Sequence, residues 1–252
     1  MTDAHVLITR HDGILSLELS RRDKKNAITT GMYAALAHAF EQAATDDDIA
    51  VVLLRGQPDL FTAGNDLADF LAPAARETGA AHQFLHAIAR CPKPIVAAVG
   101  GPAIGIGTTM LMHCDFVVAA TGARLQLPFV PLALCPEAGS SMLLPQMAGH
   151  RLAAELLLLG EPFDASKAKE AGIVTTIVPD TELMAHARSI ADRLARLPRE
   201  AMVTTKELLK RSQGRTVIEA IEEEYPHFER LLASEDARAI FRAFLDKRPT
   251  SG

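Results

Sequence analysis

The chain has 252 residues, 48% hydrophobic and 23% charged, with a formal net charge of -5, long enough to bury a substantial core without disulfide or metal staples. The acidic balance offers no basic field for a phosphate backbone, and no window has the spacing of a zinc finger, an RNP motif or a basic region, so no nucleic-acid partner is expected. Cys91, Cys114 and Cys135 are odd in number and lack C-x-x-C spacing, which argues against a disulfide framework or zinc site and for a reducing cytoplasm. The first residues carry acids and His where a leader would be apolar, and no segment reaches the roughly 18 apolar residues of a membrane span.

In chain order, Val6 to Thr9 and Ile14 to Leu19 alternate around Asp12-Gly13, which predicts a β-hairpin. Met32, Ala35, Leu36 and Phe40 recur at helical spacing within Thr30 to Ala44. The all-apolar run Ile49 to Leu54 reads as a strand buried on both faces, as do Ile95 to Val99 and Phe116 to Ala120. A helix is expected over Ala74 to Arg90, ending before Pro92 and Pro94, and a short one over Thr108 to His113. Strands alternating with helices predict an α/β fold with right-handed crossovers and a largely parallel sheet. Residues 181–196, 199–211, 216–232 and 235–246 are all helical in period, with Pro198 and Gly214 between them. Their apolar stripe, including Ile218, Ile221, Tyr225, Phe228 and Leu232, needs a partner surface, either another subunit or the first domain.

Two glycine-containing turns follow buried strands, Phe61-Thr62-Ala63-Gly64-Asn65-Asp66-Leu67 and Gly105-Ile106-Gly107. Where such a turn opens a helix, free N–H groups and the positive end of the helix dipole face the same space. Each alone is as compatible with a simple tight turn. Together they could hold one oxygen as it becomes negative. A dinucleotide loop is disfavoured because Met110 stands at the third glycine position and the crossover to Phe116 is short.

Phe61 to Leu67 resembles the F-S-A-G-A-D-[IL] signature of the crotonase (enoyl-CoA hydratase/isomerase) family, and Ala98 to Asp115 resembles its second signature. Arg22 to Ile28 matches a third family segment except for Asp23 in place of Pro. The resemblance runs over nearly the whole chain. It implies a crotonase-like spiral of repeated ββα units in residues 1–195, a C-terminal helical trimerisation region in 196–252, and a homotrimer or dimer of trimers acting on an acyl-CoA thioester. It places the two oxyanion-hole amides at Asn65 and Ile106. It assigns CoA or substrate contacts to Asn26, Ala27, Ala63, Gly64, Asp66, Leu67 and Gly105, with Lys247 near a CoA phosphate. Asp66 also suits a turn cap. CoA is part of the substrate; no separate cofactor and no metal is expected.

Hydration of an enoyl thioester needs two acid/base groups, and the family's two hydratase glutamates fall at Thr109 and Phe129. Neither side chain can act as a base near neutral pH. The run from Pro128 to Ser141 instead resembles the peroxisomal-type 3,2-trans-enoyl-CoA isomerases, in which the Glu of a Pro-Glu pair is the base; here it is Glu137. Phe129, Leu132 and Leu134 would line an apolar pocket that raises the glutamate's pKa. On residue chemistry alone, Glu137 equally suits a charge at the start of the helix from Gly139 to Met147. Another crotonase-type reaction such as hydration, or CoA binding without catalysis, stays open at this level. His113 in its apolar helix is expected to be structural, and His150 to lie in a loop.

Overall fold

A computed structural model of the chain describes residues 3–71, 79–211 and 216–246. Strands β1 (Val6–His11) and β2 (Ile14–Leu19) form the expected hairpin. Asp12 and Gly13 both have positive φ, 51° and 76°, as a two-residue turn matched to strand twist requires. The main sheet continues through β3 (Val51–Arg55), β4 (Ile95–Val99), β6 (Phe116–Ala120) and β9 (Thr176–Val178), all parallel after the first pair, in the order β1-β2-β3-β4-β6-β9. A small sheet joins β5 (Pro102–Ile104), β7 (Arg124–Gln126) and β8 (Phe163–Asp164).

The helices are α1 (Thr30–Thr45), α2 (Leu67–Leu71), α3 (Ala80–Arg90), α4 (Ile106–Thr109), α5 (Ser140–Ala148), α6 (His150–Ala154), α7 (Ala165–Glu170), α8 (Leu183–Ala195), α9 (Arg199–Arg211), α10 (Val217–Leu232) and α11 (Glu235–Asp246). The helix expected from Ala74 begins at Ala80 among the described residues, and His150 opens α6 rather than lying in a loop. The hydroxyl of Thr29 caps α1 by accepting from the Met32 amide at 3.3 Å.

The central strands bury both faces. Val52, Leu54, Ile95, Ala97 and Val117 join the core beneath α1 and α3, while Val51, Leu53, Val96, Ala98 and Val118 meet Leu183, Ala187 and Ala191 of α8. Each aliphatic side chain so placed contributes about 1.5–3 kcal/mol, and the alanines on α8 let that helix lie close to the sheet. The boundary expected after residue 195 falls in the connection between α8 and α9. Beyond it, Ile221, Phe228, Leu232, Ala237 and Phe241 are buried in the same cluster as the strands. The apolar stripe of α10 is therefore covered in large part by earlier elements of the same chain. Leu158, Leu159, Leu197 and Leu208 remain exposed. The three cysteines are free, and among the described residues no helix is long and apolar enough to cross a membrane.

Candidate functional site

The two glycine turns meet. A parallel bridge between Thr62 and Ala103 is built by the Thr62 amide donating to Pro102 at 2.9 Å and the Ile104 amide donating to Thr62 at 3.1 Å. A Cβ on Gly64 would lie 2.6 Å from the Ile104 carbonyl oxygen, and its φ is +88°, so no other residue fits without displacing the backbone. Gly105 has φ 56° and ψ -118°, a conformation open to glycine alone.

These turns present two amides to one space. Asn65 bridges Ile28 through its neighbours: Ile28 donates to Gly64 and Asp66 donates to Ile28. That pattern turns the Asn65 N–H away from the Ile28 strand. Ile106 is the first residue of α4, so its N–H has no intrahelical acceptor. Neither amide has a protein acceptor among the described residues. Both residues line a cavity of about 450 Å³, together with Ala27, Ala63, Gly64, Asp66, Leu67, Gly105, Phe129 and Leu134.

Two of the expected contact residues, Asn26 and Asp66, have partners within the protein. Asn26 is fully buried and does not border the cavity; its carboxamide accepts from the Arg21 amide at 2.7 Å and donates to the Phe61 carbonyl at 2.9 Å. It holds the turn that Ala27 presents. Asp66 borders the cavity, yet its carboxylate pairs with Arg21 at 2.6 Å and accepts from the Ala68 amide at 3.0 Å. Lys247 lies outside the described residues. Lys25, Gln126, Pro131 and Phe241, which sequence reasoning missed, also line the cavity.

Glu137 borders a second, narrower cavity of about 50 Å³, with Tyr33, Leu85 and Ile221, and Asn65 and Phe228 border both spaces. Its side chain is seated by the turn that follows it, where Ala138 and Gly139 take positive φ of 61° and 69°. The Ser140 hydroxyl donates to the Glu137 carbonyl at 2.6 Å, and His113 Nε2 donates to the Ala138 carbonyl at 2.8 Å. Burial lowers the His113 pKa to about 4, so the ring is neutral. The start of α5 is held by Glu224 of α10, whose carboxylate accepts from Gly139 at 2.6 Å and Ser141 at 2.9 Å. The helix-start charge considered for Glu137 is thus supplied by Glu224, and Glu137 is left for the cavity.

Glu137 is 8% exposed, and burial raises its pKa to about 8; the Thr109 hydroxyl, donating at 2.9 Å, works in the opposite direction, and the Glu224 charge adds to the rise. Where a hydratase glutamate would stand, Thr109 therefore solvates Glu137. Tyr33 donates to the Asn65 side-chain oxygen, which fixes that residue while leaving its main-chain amide available. Burial, then the charges of Glu137 and Asp69, push the Tyr33 phenol up. The arrangement offers one poised carboxyl group, two main-chain donors and apolar walls, suited to moving a proton beside a carbonyl whose oxygen gains charge.

The Enoyl-CoA hydratase/isomerase family model matches residues 9–251. Enoyl-CoA delta isomerase 2 of Rattus norvegicus is 33% identical over 251 residues, a match covering 97% of this chain and 64% of the rat protein's length. The 2,3-dehydroadipyl-CoA hydratase of Escherichia coli (strain K12) is 32% identical over 247 residues, with 97% of each protein covered. The crystal structure of an enoyl-CoA hydratase/isomerase from Pseudoalteromonas atlantica T6c superimposes with a TM-score of 0.91 at 40% identity, covering 97% of this chain and 98% of that one.

Proposed function

The chain belongs to the enoyl-CoA hydratase/isomerase family, and from that premise we propose that it is an enoyl-CoA isomerase, shifting a 3-enoyl-CoA double bond to the conjugated 2-trans position. Relatives with isomerase and hydratase names are equally similar, so the choice rests on chemistry. The observation that carries it is Glu137, buried with its pKa raised to about 8 and bordering the same narrow cavity as Asn65, while Thr109 and Phe129 stand where the family resemblance puts the two hydratase glutamates.

In this reading the ionised Glu137 removes a proton from C2 of the 3-enoyl thioester. The electron pair moves into the carbonyl, and the N–H groups of Asn65 and Ile106 stabilise the dienolate oxygen. Glu137, now protonated, returns the proton at C4 as the oxygen's charge collapses back, and the double bond arrives between C2 and C3. Substrate and product are isomers, so the shuttle needs no redox partner. Phe129, Leu132 and Leu134 keep water from the dienolate. The cavity shared by Ala27, Ala63 and Lys25 suits the CoA portion, with the Lys25 ammonium at hand for its anionic groups. A homotrimer or dimer of trimers in a reducing cytoplasm completes the proposal.

The test is turnover of 3-enoyl-CoA and 2-enoyl-CoA by the wild type and by Glu137→Gln. Isomerisation should fall by about 10²–10⁴ in the variant. Equal rates for the two proteins would remove Glu137 from the chemistry, and hydration of 2-enoyl-CoA at a rate matching isomerisation would return the chain to the hydratases.

A further inference from the structure

On the far side of the narrow cavity, His82 and His86 stand four residues apart on α3, one above the other on a single face. Glu222 of α10 faces them. The three donor atoms converge: His82 Nε2 lies 3.2 Å from His86 Nε2 and 3.3 Å from Glu222 Oε1, and His86 Nε2 lies 2.7 Å from the same oxygen. Protons can satisfy only two of these three contacts, because each Nε2 offers either one N–H or one lone pair, so two rings that both donate to Glu222 have nothing left for each other. A dication satisfies all three at once.

We propose that His82, His86 and Glu222 form a divalent transition-metal site, filled by zinc, that ties α3 to α10. Nitrogen and carboxylate ligands about 2.0–2.1 Å from zinc in a tetrahedral set stand about 3.3–3.4 Å from one another. The 3.3 Å separation already has that value and the 3.2 Å one is close to it, while the 2.7 Å contact of His86 to Glu222 opens by more than half an ångström when it yields to the metal. The His82 ring is held in place by Tyr225, with ring centroids 4.3 Å apart. Two imidazoles and one carboxylate favour zinc over magnesium or calcium, and the fourth coordination position faces no protein donor among the three. His82 also borders the narrow cavity that Glu137 lines, but the three ligands take no part in the proton shuttle, and the site does not depend on which reaction the family member catalyses.

The experiment is titration of zinc alone into the tag-free full chain after chelator treatment, followed by calorimetry and by thermal unfolding. The expected result is one zinc per chain and a rise in Tm that scales with metal concentration. Glu222→Gln and His86→Gln should each weaken binding by about tenfold or more, while His186→Ala on the exposed face of α8 binds as the wild type does. Cobalt should give the visible absorption of a tetrahedral site in the wild type and lose it in Glu222→Gln. Because Glu222 is half-exposed, that variant folds and decides the matter. Wild-type binding that is absent or substoichiometric, or equal affinity in Glu222→Gln, would overturn the proposal.

Discussion

At the residue scale, the pKa of Glu137 sets the pH dependence of the proposed reaction. A base must be ionised, and with a pKa near 8 only about a tenth of the free protein carries the carboxylate at pH 7. The rate kcat/KM should rise with pH and level off above about 8, an acidic limb lying far above that of an ordinary glutamate. Thr109 stabilises the charged form, so Thr109→Val, which keeps the shape and removes the hydroxyl, should move that limb to higher pH by about one unit. A pH–rate profile of the two proteins decides this; coincident limbs would mean that the hydroxyl does not solvate the base. Much of this site is legible in the residues themselves. Under the proposed function, Thr109 and Phe129 mark the absent hydratase acids and Pro136-Glu137 marks the substitute. What is not legible is that Thr109 has become the partner of Glu137, because a separation of 28 in sequence gives no hint of the 2.9 Å contact. Tyr33 leaves only a faint trace, a polar tip on the buried face of an amphipathic helix.

At the scale of elements, the turn Phe61–Leu67 and the helix pair α5 and α10 shape the site. Gly64→Ala would force a Cβ to 2.6 Å from the Ile104 carbonyl at positive φ, at a cost of about 1–3 kcal/mol. Thermal unfolding should show a lower Tm, and isomerisation should fall with it because the Asn65 amide moves. Glu224 raises the Glu137 pKa by its charge, so Glu224→Gln should shift the acidic limb toward lower pH, opposite to Thr109→Val, while weakening the cap on α5 by about 1 kcal/mol. The strands and most helices are plain in the sequence because apolar runs and helical periods mark them. The local pattern leaves the start of α5 open, since Glu137 is the nearest acid in sequence. The acid that caps it arrives from α10, where a charge between Ile221 and Phe228 on an otherwise apolar face is the only signal.

At the scale of the molecule, Glu137 makes stability pH-dependent. Its folded pKa of about 8 lies above the ordinary carboxylate value, so between roughly pH 4.5 and 8 the folded chain holds a proton that the unfolded chain has released, and stability falls as pH rises through that window. Glu137→Gln should therefore be more stable than the wild type at pH 8.5 by a few kcal/mol, about 1.4 for each unit of pKa gap, and nearly equal to it at pH 4.5. Denaturant titrations at the two pH values measure the difference; a gap that does not change with pH would show that Glu137 ionises normally. The same molecule should sediment at three or six times its 27.1 kDa chain mass, with Leu158, Leu159, Leu197 and Leu208 as the exposed apolar residues available for contact. A monomer in sedimentation would leave the proposed trimer without support.

The tie from Glu224 back to Gly139 and Ser141 spans 85 and 83 positions of chain. The two glycine turns are tied together by contacts among residues 25 to 126, but the seat of Glu137 stays incomplete until α10 has docked. Under the proposed function, a chain cut before α10 would bind a thioester but not move a proton on it, so that binding and turnover separate at that helix.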